Sequence, residues 1–197
     1  FMAMAHNRYS TVAIILHWVI AGLILFNLYL ALQFDGLRGL AKFNAFQLHK
    51  SVGLTVLMLS LARLAWRLTH RPPPLPAEMP RWEKFGAQAA HWVLYGLMIG
   101  IPLTGWVVVS ASPTNLPTVI FKTMPWPHLG FIHDLSMPLR RSLEDQVEQA
   151  HMLLGFGMGF LIILHVAAAL KHQFWNRDEV LSHMLPFVRP KSASPEI

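Results

Sequence analysis

Four histidines in this chain have the residue type and spacing to bind two haem groups. His17 and His165 are predicted to lie at one depth of a bundle of membrane-spanning helices, and His49 and His151 at another. Histidine is costly in lipid unless something holds it, so such positions are candidates for a functional site. Two imidazoles that face each other could hold one haem iron from both sides. Such a pattern predicts electron transfer rather than oxygen chemistry, because both axial positions of the iron would be filled.

The spacing of His151 and His165 tests this arrangement on a single helix. They are 14 residues apart in the sequence, just under four helical turns, so both side chains point to nearly the same face. Their separation of about 21 Å along the axis suits two stacked porphyrins and is too long for one metal ion to bridge.

A small residue follows each of the four histidines after one turn, where a flat macrocycle would need space. The pairs are His17/Ala21, His49/Gly53, His151/Gly155 and His165/Ala169. The alternative is that small residues are common in packed membrane helices, and that a single buried histidine often has only a structural hydrogen bond. The shared register of all four favours the ligand interpretation.

The elements that position these residues are predicted from composition. The chain is 54% hydrophobic and 13% charged, whereas soluble domains average about 25% charged residues. Four apolar segments reach the length of about 20 residues that a membrane helix requires, and the first is too long for the core of a signal peptide. We therefore predict an all-α integral membrane four-helix bundle, a single domain over residues 1–197. The spans cover residues 11–33, 49–68, 89–110 and 150–172.

Charge distribution predicts that both termini are cytoplasmic. Of the 16 basic residues, nine fall on the side of the termini, six fall on the other side, and Arg63 lies within the second span. The nine are Arg8, Arg67, Arg71, Arg81, Lys84, Lys171, Arg177, Arg189 and Lys191, and the six are Arg38, Lys42, Lys50, Lys122, Arg140 and Arg141. This bias explains the net charge of +6 without nucleic acid as a partner. The absence of cysteine excludes iron–sulfur clusters and c-type haem attachment.

This orientation pairs the histidines by depth. His17 lies about six residues into the first span and His165 about seven residues from the inner end of the fourth, roughly 9–10 Å deep. His49 and His151 open their spans on the outer side. His91 opens the third span with Tyr95 one turn on, which leaves three interpretations: a polar interfacial residue, a haem-propionate contact or a quinone contact.

Two further regions of the sequence could contribute to a site. His172 ends the fourth span on the inner side and is a candidate quinone contact. The connection over residues 111–149 is the longest in the chain, and its polar part from residue 137 is predicted to hold a short surface helix. That connection is either a solvated cap or a lid over the outer half of the bundle.

Several separated motifs resemble the bacterial cytochrome b561 family of four-helix dihaem membrane cytochromes. The resemblance extends from Arg8 to about Phe187, and residues 128–148 form a longer polar insert. The motifs are Arg8-Tyr9-Ser10 with Leu16-His17-Trp18, His49-Lys50-Ser51-Val52-Gly53, Arg63-Leu64-Ala65-Trp66-Arg67 with Pro72-Pro73-Pro74, His91 with Tyr95, Pro102-Leu103-Thr104-Gly105-Trp106, Gln149-Ala150-His151, and His165 to His172.

The resemblance implies two haem b groups, one bound by His17 with His165 and one by His49 with His151. Their anionic propionates need cations near the membrane surfaces. Lys50 is the candidate for the outer haem, and Arg8 and Arg67 are the candidates for the inner haem. The alternative role for all three is to extend along apolar surface to reach water.

The resemblance also implies the bacterial inner membrane, quinone as one partner and, as in some relatives, superoxide as a donor whose electrons pass to ubiquinone. The leading hypothesis is a superoxide:ubiquinone oxidoreductase. The alternative is a membrane-anchor subunit that relays electrons between quinone and a separate redox protein. A metal-ion transporter is disfavoured, because it would need carboxylates or broken helices at mid-depth, and none of the four predicted spans contains Asp or Glu.

Overall fold

The computed structural model describes residues 8–70, 72–178 and 180–185. Arg71, Arg189 and Lys191 of the charge count, and Phe187 at the end of the family resemblance, lie outside them. The elements in chain order are α1 (Thr11–Gln33), α2 (Gly39–Thr69), α3 (Arg81–Ala111), β1 (Thr118–Ile120), β2 (Met124–Trp126), α4 (Gly130–His133) and α5 (Met137–Lys171). A π-helical turn (His172–Asn176) and a 3-10 turn (Ser182–Met184) follow α5.

Within the described residues, four helices are long and apolar enough to cross a membrane: α1, α2, α3 and α5 with its π-helical turn. Large apolar side chains such as Ile15 and Val19 of α1 and Phe160 and Ile163 of α5 are exposed. A helix that is apolar on all sides requires an apolar surrounding. The chain is therefore an integral membrane four-helix bundle, as predicted.

The helices pack in the spatial order α1, α2, α3, α5. A buried apolar cluster joins all four at mid-height and includes Ile20, Val56, Met98 and Met158. Met158 lies seven residues from both His151 and His165, so the cluster separates the two histidine levels. In the described part of the chain, α5 packs its backbone closely on α3 and much less on α1 or α2.

Both ends of the described chain lie at the same end of the bundle. The Arg8 side chain donates to the carbonyl of Leu185, and Trp18 Nε1 donates to the carbonyl of Met184 over 2.8 Å. We call this the inner end and the opposite one the outer end, after the predicted orientation.

Three helices are longer than the predicted spans. The helix α2 begins at Gly39 rather than at residue 49, α3 at Arg81 rather than at residue 89, and α5 at Met137 rather than at residue 150. The predicted surface helix is therefore the first part of α5. The α5 helix is about 52 Å long and exceeds a hydrocarbon core of about 30 Å. Apolar runs indicate only the part of a helix that contacts lipid. Polar residues continue the same helices into water, so the predicted spans were too short.

The connection between α3 and α5 forms a folded cap on the outer end. Strands β1 and β2 pair antiparallel, with Val119 opposite Pro125. Ser51 of α2 accepts a hydrogen bond from the amide of Phe121 over 3.0 Å, and Gln47 donates to the carbonyl of Pro117 over 2.9 Å. Because these side chains hold the hairpin on α2, the cap is part of the bundle.

Candidate haem-binding site

The imidazole rings of His49 and His151 face each other near the outer end. Their centroids are 6.1 Å apart with planes inclined by 76°. Near the inner end, the rings of His17 and His165 are 6.2 Å apart with planes inclined by 59°. Two imidazoles on opposite sides of one metal, each bonded at about 2.0 Å, have centroids roughly 6 Å apart. Both pairs therefore have the separation that a shared iron requires.

Hydrogen bonds to the outer pair leave Nε2 of each histidine available to bind a metal. His49 Nδ1 lies 3.2 Å from the carbonyl oxygen of Asn27, and His151 Nδ1 lies 3.0 Å from that of Ile101. A carbonyl only accepts, so both Nδ1 atoms must donate. The lone pair is then on Nε2, which is the usual arrangement in metal-binding histidines.

Two neighbouring residues of α3 shape the position of the His151 ring. Thr104 Oγ1 lies 2.9 Å from its Nδ1. A methyl group added at Gly105 would lie 3.1 Å from its Cε1, so glycine allows the helix to approach the ring. In the sequence, both residues stand out only as part of a family motif. A glycine directly after a threonine in a helix gives no local sign of a ring from another helix.

The inner level contains a third histidine. The ring of His91 is 5.8 Å from that of His165, which places His91 beside the inner pair. The cause is that α3 packs closely on α5. Tyr95, one turn after His91, is 5% exposed. His17 has no such large neighbour, because Ala21 follows it, and its Nδ1 is buried without a hydrogen-bond partner in the described residues.

These features fit haem b at both levels. The close packing of α5 on α3 alone leaves the other two helices farther from it, and histidine side chains reach across the gap. A methyl group at Gly155, one turn after His151, would meet no atom within 4 Å. At Gly53 its nearest neighbour would be Asn27 Nδ2 at 3.5 Å, an ordinary contact. The space expected beside these two histidines is therefore present.

A basic cavity of about 330 Å³ opens at the inner end. Arg67 lies over the rings of Trp92 and Tyr95, at 5.5 and 5.6 Å. Arg63 also lies over Tyr95, at 5.4 Å. The residues that line the cavity include Arg8, Tyr9, Arg63, Trp66, Arg67 and His70. Among the described residues, three guanidinium groups and no carboxylate line it, so it suits an anionic group such as a propionate.

Arg63 is the one guanidinium of this cavity for which the sequence predicted no role. Its position inside an apolar span was the available signal, since a charged residue there is usually functional. Beside the cavity, burial raises the pKa of the Tyr9 hydroxyl, and the nearby Arg67 and Arg63 oppose that shift.

The outer end holds Lys50 and a group of loop cations. Lys50 is half-buried beside His49. Burial lowers the pKa of His128, and the positive charges of Lys50, His133 and Arg140 lower it further. Arg140 itself is 4% exposed. Its guanidinium binds acceptors of the loop and of the end of α3 inside the cap.

His172 lies at the inner end of α5, on the same face as His165. It is buried, and its Nδ1 lies 2.6 Å from Asp178 Oδ2. The described residues contain no group of three His, Asp or Glu side chains placed to hold a metal ion.

Comparison with known proteins gives the family. The prokaryotic cytochrome b561 family matches residues 8–187. A probable superoxide oxidase of Yersinia pestis is 27% identical over 186 residues, which cover 92% of this chain and 97% of that protein. Cytochrome b561 homolog 2 of Escherichia coli K12 is also 27% identical, over 91% of this chain and 92% of its own. Homolog 1 is 25% identical over 91% and 98%. The chain therefore belongs to the prokaryotic cytochrome b561 family and is a membrane cytochrome b that transfers electrons.

Proposed function

We propose that this protein binds two haem b groups in the bacterial inner membrane and couples a one-electron donor at its outer end to quinone near its inner end. His49 with His151 would hold the outer haem, and His17 with His165 the inner haem. When bound, haem b supplies reversible one-electron transfer. Superoxide is the proposed donor and ubiquinone the proposed acceptor.

The observation that carries this proposal is the matched geometry of the two histidine pairs. Ring centroids 6.1 and 6.2 Å apart occur at two levels, with a buried apolar cluster between them. One helix contributes a ring to each level. A chain that used its histidines only for structural hydrogen bonds would not need two facing pairs at this separation.

Superoxide as the donor is supported by similarity and by charge. The Yersinia pestis relative is named a probable superoxide oxidase. Lys50 and His133 both lie close to His128 of the cap, and Lys122 and Arg141 are exposed at the same end. Cations around an entrance raise the local concentration of an anion such as superoxide. The acidic residues Asp134, Glu144, Asp145 and Glu148 share this end, so the attraction must be local to Lys50.

Quinone at the inner end is supported by the position of His172. It lies seven residues beyond His165, which is about 10 Å along the same face of α5. His91 lies beside His165 and is the second candidate contact. Phe174 and Trp175 are 74% and 85% exposed at this end, and such aromatic residues are typical of the membrane interface from which a lipid-soluble quinone would enter.

The first test is a reduced-minus-oxidised visible spectrum of the purified protein, with haem counted per chain. Two low-spin b haems are expected, and one or none would contradict the pairing. The second test adds superoxide from an enzymatic source to the oxidised protein and then a short-chain ubiquinone. Reduction by superoxide followed by reoxidation by quinone is expected.

The same experiment separates the alternative function. A membrane-anchor subunit would hold both haems and react with quinone, but superoxide would not reduce it. It would also purify with a second redox protein when isolated gently from its native membrane.

A further inference from the structure

The inner end contains a group of titratable side chains that haem binding does not use. His172 is 9% exposed. Its Nδ1 lies 2.6 Å from Asp178 Oδ2, and its Nε2 lies 3.8 Å from Glu83 Oε2. Lys171 Nζ lies 2.7 Å from the other oxygen of Glu83. An imidazole between two carboxylates thus connects α5, α3 and the segment after α5.

The distances around His172 indicate a different role for each neighbouring side chain. A distance of 3.8 Å is too long for a hydrogen bond, so His172 Nε2 keeps its bonding capacity for another partner. Glu83 Oε2 is buried and has no hydrogen-bond partner in the described part of the chain. Asp178 Oδ2 fixes the ring from the opposite side, at Nδ1, and Asn176 Nδ2 lies 3.1 Å from Nδ1 as well.

The cluster also reaches water. The side chains of His172 and Glu83 are each 11% exposed, whereas those of Asp178 and Lys171 are 20% and 47% exposed. Protons from the inner aqueous phase can therefore reach Asp178 directly and Glu83 beside Lys171. A buried imidazole can release a proton from one nitrogen and regain one at the other, which suits it to proton transfer.

We propose that Glu83, His172 and Asp178 form a proton-transfer cluster. This cluster supplies protons to the two oxygens of a quinone reduced at the inner end. The inference rests on the proposed function. A quinone that gains two electrons takes up two protons, one on each oxygen, and becomes a quinol. The electrons come from two molecules of the one-electron donor, each oxidised once. The protons come from inner-side water. Asp178 passes them to His172 Nδ1 for release from Nε2, and Glu83, which lies on the Nε2 side, donates directly.

The charge-neutral variants Glu83→Gln and Asp178→Asn test this proposal with little change of shape. Asparagine at position 178 can still accept the hydrogen bond from the amide of Val180, which Asp178 Oδ1 now accepts over 3.2 Å. Glutamine at position 83 can still bind Lys171. The matched control is Glu78→Gln, the same chemical change at an exposed position of the same end.

The measurement uses the haem-loaded protein in lipid nanodiscs with a short-chain ubiquinone and a one-electron donor. Both cluster variants should reduce quinone at least about tenfold more slowly than the wild type, with a larger solvent deuterium isotope effect. The Glu78→Gln variant should match the wild type in both. Haem content and reduction by dithionite, which need no proton delivery to quinone, should be equal in all proteins.

Two results would overturn the proposal, and they differ. If the wild type reduces quinone and both cluster variants keep its rate and isotope effect, the cluster is structural and the proposed function stands. If the wild-type protein itself transfers no electrons to quinone, the proposed acceptor is wrong and the proton-transfer role fails with it.

Discussion

Three histidine rings meet at the inner level, and only two can occupy opposite sides of one iron. His17 and His91 lie at similar distances from His165, 6.2 and 5.8 Å. Distance alone does not choose between them. The neighbours do, because Ala21 leaves space beside His17 whereas the buried ring of Tyr95 follows His91.

Replacement of these histidines should therefore have unequal effects. His17→Leu and His165→Leu should each lose one of the two haems, because one axial bond is removed. His91→Leu should keep both and alter only quinone kinetics. Haem counted per chain by the pyridine haemochrome spectrum gives the answer. Loss of a haem in His91→Leu, with retention in His17→Leu, would assign the inner iron to the other pair.

Gly105 offers a second test at the outer level. A methyl group there would lie 3.1 Å from the His151 ring, so Gly105→Ala should displace the ring and lower occupancy of the outer haem. Titration of the haem-free protein with haem would show weaker binding at one of two sites. Gly100→Ala is the control on the same helix, since no atom lies within 4 Å of its added methyl group. Equal binding in both variants would show that the ring adjusts at no cost.

Residue positions were the part of the site that spacing predicted best. Helical geometry fixes both the depth and the direction of each side chain. The two pairs predicted from depth, His17 with His165 and His49 with His151, are therefore the pairs whose rings lie face to face. Their role as haem ligands remains a prediction. Arg63, Glu83 and Asp178 could not be assigned in the same way, because each acquires its partners from a different helix or from the chain beyond α5.

At the scale of elements, the outer cap depends on one buried arginine. Arg140 donates to the carbonyls of Ala111 and Ser112, at 3.2 and 2.6 Å, and to Asn115 Oδ1 at 2.7 Å. It thus joins the start of α5 to the end of α3 and to the loop that leads into the hairpin. Hydropathy could not predict this, because a basic residue in a polar segment is normally exposed.

Replacement of Arg140 by methionine should loosen this cap. Three acceptors would lose a charged donor in a buried place, which should lower the free energy of unfolding by roughly 2–4 kcal/mol. Chemical denaturation in detergent and hydrogen exchange over residues 112–127 would measure the effect. Arg141→Met, the exposed neighbour, should change both little. Similar losses in the two variants would mean that general charge, rather than these bonds, holds the cap.

The whole molecule has both described ends of the chain on one side, and the orientation of that side in the membrane remains a prediction. The absence of cysteine makes it simple to test. Single cysteines at Glu78 of the inner end and Lys122 of the outer end should react differently with a membrane-impermeant maleimide in spheroplasts. Labelling of Lys122→Cys alone is expected, labelling of Glu78→Cys alone would invert the topology, and the cysteine-free parent gives the background.

The bundle of membrane helices could be predicted because apolar length alone specifies such helices. The extensions of α2, α3 and α5 beyond the bilayer could not, since their polar residues resemble loop. The β-hairpin was also missed. Its turn includes Phe121 and Lys122 with φ of 46° and 60°, a left-handed conformation that favours glycine and that neither residue indicates in the sequence.

The heptad register of α5 has a consequence for how the family can vary in length. Four residues follow one another at intervals of seven: His151, Met158, His165 and His172. One helix face therefore contributes to the outer histidine pair, the apolar cluster, the inner histidine pair and the inner end. A single inserted or deleted residue between them would rotate all that follows by about 100° and turn the remaining rings away from their partners. Natural insertions and deletions should therefore accumulate in the cap and spare this stretch of α5, where only a change of whole heptads would preserve the face.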